Sequence, residues 1–338
     1  SRIMHLLKPA WSPETLLSGN YLFHLVAYRG ELLERLGGLR PAYEGSQDYD
    51  LILRASEVTD RIRHIPRVLY HWREHEASIA TNADAKAYVY DAGKAALADA
   101  MERRGMPVPV ADVEGFRGHY RPQLPDPDPS RVAVIEVAAD LSAGDYRDRL
   151  GAAIAQAEPN ATFLVFCGPG VIARDQASLV ELVRWLQLPG VGMVTGRVLT
   201  TDDRLAHVGL VHRPVGIPLT LYCGSPSSEP GYMAYAAVMR NVSAPHPWCL
   251  AFRREVYEAL GGFSRSLAGP HAMLDLALRA LDEGWRTVYV PYAEFWTSAE
   301  ECFLAPWFAP DVVPFVRRWK TWLARGDPFY PVAVSYTH

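Results

Sequence analysis

Cysteine is scarce in this chain and carries no pattern. Cys167, Cys223, Cys249 and Cys302 form no CxxC and no zinc-type spacing. Their scatter suits a reducing compartment, with each expected to be a small buried apolar residue. Long apolar runs are missing as well. No stretch approaches the ~20 residues that cross a bilayer and no signal-peptide pattern opens the chain, so a soluble protein is expected. Charge of one sign is also in short supply. The formal net charge is -4 and the pI about 6.3, which removes the basic footprint of a nucleic-acid partner. A single nucleotide stays within reach of a few local groups and a metal. What the chain does have is apolar material: 49% hydrophobic against 21% charged residues over 338 positions. That is enough for two ordinary domains with real cores.

Residues 1–105 hold an apolar segment (21–28), a helix (30–36) stopped by Gly37-Gly38, and a helix entered through Gly45-Ser46-Gln47-Asp48. A short strand (65–70) and an alanine-rich helix (85–104) follow. Ser46 stands where it would cap the second helix. Residues 106–130, rich in Pro and Asp, read as a linker. From 131 to 338, strands (131–137, 161–167, 191–195) alternate with amphipathic helices (146–156, 176–186). This is the pattern of an α/β fold with a mostly parallel sheet covered on both faces.

The chain also repeats itself. Residues 25–39 align without gaps on 249–263; one residue of loop later, 48–55 align on 273–280 and 61–66 on 286–291. The period is too long for a solenoid, so two related domains in tandem are expected. The copies share a framework that includes Gly37/Gly261, Asp50/Asp275, Leu51/Leu276, Arg54/Arg279 and Pro66/Pro291. They differ in reactive groups. Asp48 becomes Met273, His71 becomes Trp296, Arg73 becomes Ser298 and His75 becomes Glu300. Selective loss of this kind points to a site in the first copy and none in the second.

Asp48 falls in the first turn of a helix, where the macrodipole favours a carboxylate that can accept a proton from an incoming hydroxyl. Residues 70–75 add imidazoles and a guanidinium suited to a metal-diphosphate leaving group. Singly, a helix-start Asp is more often a cap and a His beside Trp a structural residue. The constellation, and its disappearance from the second copy, reverses those odds.

The segments Trp11-Ser12-Pro13, Gly19-Asn20-Tyr21, Tyr28-Arg29, Gly37-Gly38 and Gly45-Ser46-Gln47-Asp48-Tyr49-Asp50-Leu51 resemble those of bacterial family 2 glycosyltransferases. So does Trp72-Arg73-Glu74-His75-Glu76-Ala77-Ser78. The nearest likeness is to the large multi-domain kind of O-antigen, rhamnan and S-layer glycan assembly. The resemblance implies a GT-A, Rossmann-like fold that binds a nucleotide sugar (UDP-, dTDP- or GDP-linked), a divalent cation (Mg or Mn) in the complete enzyme, and a glycan acceptor. It implies that Asp48 is the general base of an inverting transfer and that Arg73, His75 and Ser78 close over the diphosphate. Asn20, Gln47 and Asp50 are expected to line the same substrate site, and either His71 or His75 to ligate the metal. The family's donor-binding strand and acidic metal motif precede the Trp-Ser-Pro segment, so residues 1–105 are expected to be the acceptor-side half of one domain.

Residues 131–338 are expected to be a shortened, degenerate second GT-A domain. Cys167-Gly168-Pro169-Gly170 stands where the resemblance implies an acidic pair. The expected location is the cytoplasm, or the inner face of the cell membrane if the aromatic and basic tail (307–330) meets lipid; packing of that tail on its own domain is the favoured alternative. The rival to the enzyme reading is a non-catalytic module that docks glycan or partner glycosyltransferase chains.

Overall fold

The computed structural model of the chain describes residues 6–71, 87–135, 137, 143–298 and 309–330. It divides into two compact units, Ser1–Pro125 and Asp126–His338.

Unit 1 contains α1 (Pro13–Ser18), α2 (Gly30–Leu36), α3 (Gln47–Ser56), α4 (Ala87–Arg103), and a hairpin of β1 (Val110–Val113) and β2 (Phe116–Pro122). Helix α2 ends as expected, with Gly37 and Gly38 both left-handed at φ 72° and 71°, a conformation glycine adopts without a Cβ penalty. Ser46 precedes α3, but its hydroxyl makes no cap bond. It donates instead to the Val89 carbonyl at 2.8 Å, fastening the start of α3 to α4. Leu16, Leu53, Ala96, Leu97, Ala100 and Met101 are fully buried and form the core.

Two expectations fail here. The hairpin lies inside the stretch read as a linker. Its strands turn at Gly115 (φ 77°), and it is tied to α4 by Tyr120, whose hydroxyl donates to the Tyr90 carbonyl at 2.8 Å, and by the Lys94–Asp112 ion pair. Tyr120 also stacks on Tyr49 of α3. Proline and aspartate on either side obscured a strand pair whose stability comes from tertiary contact. Residues 65–70, expected as a strand, form none.

Unit 2 runs β3 (Val132–Ile135), α5 (Tyr146–Gln156), β4 (Phe163–Cys167), β5 (Val171–Ala173), α6 (Gln176–Arg184), β6 (Val191–Thr200) and β7 (Leu205–His207). A small ribbon of β8 (Leu210–Val211) and β9 (Leu219–Thr220) follows. Then come β10 (Arg240–Val242), β11 (Cys249–Arg253), α7 (Arg254–Ala259), α8 (His271–Asp282), β12 (Arg286–Thr297) and α9 (Ala309–Ala324). The main sheet has the order β10-β12-β6-β11-β4-β3, with β5 on β12 and β7 on β6. The sheet is mixed rather than mostly parallel. β3 and β4 pair parallel, as do β6 and β12, but β11 enters antiparallel between β4 and β6. Alternation of strand and helix could not reveal this, because the reversed strand is reached from β10 without a crossover helix. Leu164, Val165, Phe166, Leu250, Ala251 and Phe252 are buried on both faces of the sheet, as expected of near-continuous apolar strands.

The tail packs on its own unit. Phe315, Trp319 and Leu323 of α9 are buried, and Pro314 sits inside the helix without ending it. No helix among the described residues is long and apolar enough to cross a membrane. Cys167 and Cys249 are free thiols, Cys249 buried and Cys167 less so. Cys223 is disulfide-bonded, against the expectation of four reduced cysteines.

Candidate active site

The two repeats fold alike down to one device. In unit 1, Asp50 is fully buried and accepts from Arg54 Nε at 3.0 Å and Nη2 at 2.8 Å. Arg54 then donates to the carbonyls of Leu36 and Gly38, both at 2.7 Å. In unit 2, buried Asp275 accepts from Arg279 Nε at 2.8 Å, and Arg279 donates to Leu260 and Gly262, both at 2.7 Å. Each clamp satisfies carbonyls left open at a helix end, so the second helix fixes where the first one stops.

Asp50, expected to line the substrate site, is part of the buried framework in this structure. Both its oxygens are taken, the second by Arg40, which also bonds Asp99. Burial raises its pKa, but the hydrogen bonds from Arg40 and Arg54 outweigh that and hold it below the usual carboxylate range. Asp50 and Asp48, two residues apart on α3, carry their carboxylates on different sides of the helix.

Asp48, two residues before, is exposed. The Asn20 side-chain amide donates to its Oδ2 at 3.0 Å, and the Tyr49 backbone N–H donates to its Oδ1 at 2.8 Å. Asn20 is positioned in turn by accepting from the Leu22 N–H at 3.2 Å. The preceding turn is set against the hairpin, where a Cβ on Gly19 would come within 2.8 Å of the Gly118 carbonyl. Gln47 turns away and accepts from the Gly45 N–H at 2.6 Å. The structure thus brings Asn20 and Asp48 together and leaves Gln47 serving its own turn. His71 is exposed. Arg73, His75 and Ser78 lie outside the described residues.

One neighbour was missed. The Tyr28 phenol is half-buried, and burial together with the Asp48 charge pushes it up to about 12. It stays protonated near a carboxylate and can donate a hydrogen bond. The signal was present in the repeat, since Tyr28 aligns with Phe252, which lacks the hydroxyl.

In unit 2 the same place is closed. Met273 is fully buried in α8. The turn before it is held by Asp311, which accepts from the Ala268 and Gly269 N–H groups at 3.0 and 2.6 Å. Trp296 is half-buried in β12, opposite Ile172. At the end of β4, a Cβ on Gly168 would fall inside the indole of Trp248. Burial pushes the neighbouring Cys167 thiol up to about 11, so it stays a neutral thiol at neutral pH.

A family model described as "Glycosyltransferase like family 2" matches residues 124–308, more than half of the chain. The chain belongs to this family. The match falls almost wholly on unit 2, the copy without the carboxylate, so family membership and the candidate base rest on different halves of this glycosyltransferase-family chain. Among similar proteins are an uncharacterized protein, y4gI, of Sinorhizobium fredii, 29% identical over 86% of this chain and 38% of that protein. Another is the O-antigen biosynthesis protein RfbC of Myxococcus xanthus, 26% identical over 98% of this chain and 30% of that protein. The chain thus spans about a third of the length of these relatives. A solved mannosyltransferase, PcManGT from Pyrobaculum calidifontis in complex with GDP-Man and Mn2+, matches at 18% identity over 47% of this chain and 37% of that one. Its TM-score is 0.27, too low for the likeness to bear on the site.

Proposed function

We infer that this chain is part of an inverting glycosyltransferase that moves a sugar from a nucleotide-sugar donor to a growing bacterial surface polysaccharide. Asp48 would be the general base. The observation that carries this reading is the contrast at one aligned position: an exposed carboxylate oriented by Asn20 in unit 1, a buried methionine in unit 2. In the transfer, Asp48 takes the proton of an acceptor hydroxyl, whose oxygen attacks the anomeric carbon as the nucleoside diphosphate leaves. The Asn20 amide holds the carboxylate for this task, and the Tyr28 phenol stays protonated within reach of its charge.

Unit 2 is then a pseudo-glycosyltransferase, kept as a structural or acceptor-guiding platform. It retains the sheet, the glycine stop and the Asp275–Arg279 clamp while offering neither base nor room for a carboxylate at 168. A divalent cation belongs to this reading only for the complete enzyme. Among the described residues no three His, Cys, Asp or Glu side chains gather to hold one.

The test is Asp48→Asn in the full-length natural protein, with nucleotide release measured at saturating donor and acceptor. Turnover should fall by about 10²–10⁴-fold, the usual worth of a positioned base. An unchanged kcat would sink the assignment.

A further inference from the structure

Helix α9 keeps two opposite faces. Asp311, Phe315, Trp319 and Leu323 recur at every fourth position and are buried against unit 2. Val313, Arg317, Lys320 and Ala324 form the opposite stripe, at the spacing of one helix face, and are exposed. Val313 is 64% exposed. Arg318 turns inward, with its Nε 3.1 Å from Asp275. Arg317, Lys320 and Arg325 are exposed and make no ion pair among the described residues.

The turn between β8 and β9 stands beside this helix. The His212 N–H donates to Asp327, just past α9, at 3.0 Å, and a Cβ on Gly216 would come within 2.3 Å of Val316. The tip of the turn carries exposed Arg213 and Val215, the latter 60% exposed. Residues 209–219 and 309–327 contain two carboxylates, Asp311 and Asp327. Both are buried and accept backbone N–H groups. These two segments therefore show outward cations and exposed valines but no exposed acid, on a chain whose net charge is -4.

We propose that the outer stripe of α9 and the Arg213–Val215 tip dock unit 2 onto an anionic lipid surface. The helix lies along the membrane plane, and its 16 residues span about 24 Å. Val215 and Val313 enter between the headgroups, while the long Arg and Lys side chains reach the phosphates. The rest of the chain is net negative and is repelled by such lipid, which turns this face toward it. A protein partner fits less well. Its interface would centre on aromatic side chains and few lysines, and Phe315 and Trp319 of α9 are buried in their own unit. Packing of the tail and contact with lipid are compatible because they use opposite faces. The proposal does not use Asp48, so it stands or falls separately from the catalytic reading.

Co-sedimentation of the 338-residue chain with lipid vesicles tests it. The chain should pellet with vesicles of equal parts phosphatidylcholine and phosphatidylglycerol, and stay in solution with phosphatidylcholine alone. Raising the salt from about 0.1 M to about 0.5 M should release it. Arg317→Ala and Lys320→Ala should each weaken binding roughly fivefold, the worth of one basic residue near such a surface. Val313→Asp should weaken it at least as much. Arg61→Ala removes the same charge from unit 1 and should change nothing. All four positions are exposed, so the unfolding midpoint should not move in any of these variants. Equal binding to phosphatidylcholine alone, or a loss with Arg61→Ala as large as with Arg317→Ala, would overturn the proposal. So would failure to bind the mixed vesicles, which would leave an acidic protein as the occupant of this face.

Discussion

The two copies of the repeat keep the same clamp and put it to different company. In unit 1 the buried carboxylate, Asp50, takes its second arginine from Arg40, which continues through Asp99 and Arg103 to Glu57. In unit 2 the corresponding Asp275 takes Arg318 and the Trp319 indole N–H, both from α9. The difference teaches which part of the repeat is framework and which part is free to change. The Asp–Arg–carbonyl device sits where two helices must meet and cannot lose a member cheaply. Asp48 and Met273, two positions before, are outside it, and that freedom let one become a candidate base and the other part of a core.

The largest effects should come from breaking the clamps. Asp50→Ala and Asp275→Ala each leave a buried guanidinium without its anion, which costs about 3–5 kcal/mol. Urea unfolding, followed through exchange of the α3 and α8 amides, should give losses of the same size. A gap above roughly 2 kcal/mol between them would mean the clamps are alike in shape only.

Exchanging the residues at the variable position sharpens the contrast. Asp48→Met, at an exposed site, should change stability by no more than about 0.5 kcal/mol. Met273→Asp buries an unpaired carboxylate and should cost about 3 kcal/mol or more at neutral pH. Equal costs in the same unfolding assay would remove the difference in burial on which the comparison rests.

Acid should separate the units next. Burial holds His212 down to about 3 and lowers His207 and His271 too, the neighbouring histidines adding to the effect at His207 and His212. A histidine depressed on folding contributes stability that is full above about 6.5 and is lost as pH falls toward its folded value, at up to ~1.4 kcal/mol per pH unit. Asp327, raised by burial, works the other way, one group against three. In unit 1, Asp50 and Asp99 are held low, and their contribution is lost only below about pH 4. His64 and His119 there are lowered too, by burial, but not as far as His207 and His212. Protection of α8 amides should therefore fall between pH 6.5 and 4 before that of α3. His212→Leu should flatten the unit 2 slope by about one proton, because neither ring nitrogen of His212 has a hydrogen-bond partner among the described residues.

The smallest effect concerns the helix stops. Gly38→Ala meets open space and carries only left-handed strain, about 1–2 kcal/mol. At Gly262 a Cβ would also sit 3.1 Å from the Tyr257 ring, so Gly262→Ala should cost more. Thermal midpoints of the two variants in the 338-residue chain check the order.

Much of the molecule was legible beforehand where it depends on neighbours along the chain. The bounds of α2 and α5, the glycine stops, the repeat itself and the Asp48/Met273 contrast could be read from order and spacing. Asn20 was named, but its hydrogen bond to Asp48 links residues 28 positions apart, and no local pattern reports such a pairing. Asp50 looked like a ligand because a buried carboxylate and a solvated one are the same letter.

By itself, then, the sequence determined the α/β class, the duplication and the residue types at each copy's variable positions, since these depend on periodicity, turn chemistry and alignment. Only the tertiary structure decided that the hairpin at 110–122 forms, that β11 runs against its neighbours, and that residues 65–70 form no strand with the described residues. Strand pairing and burial are set by what lies across the sheet, and a residue's chemistry depends on whether water or a second arginine reaches it first.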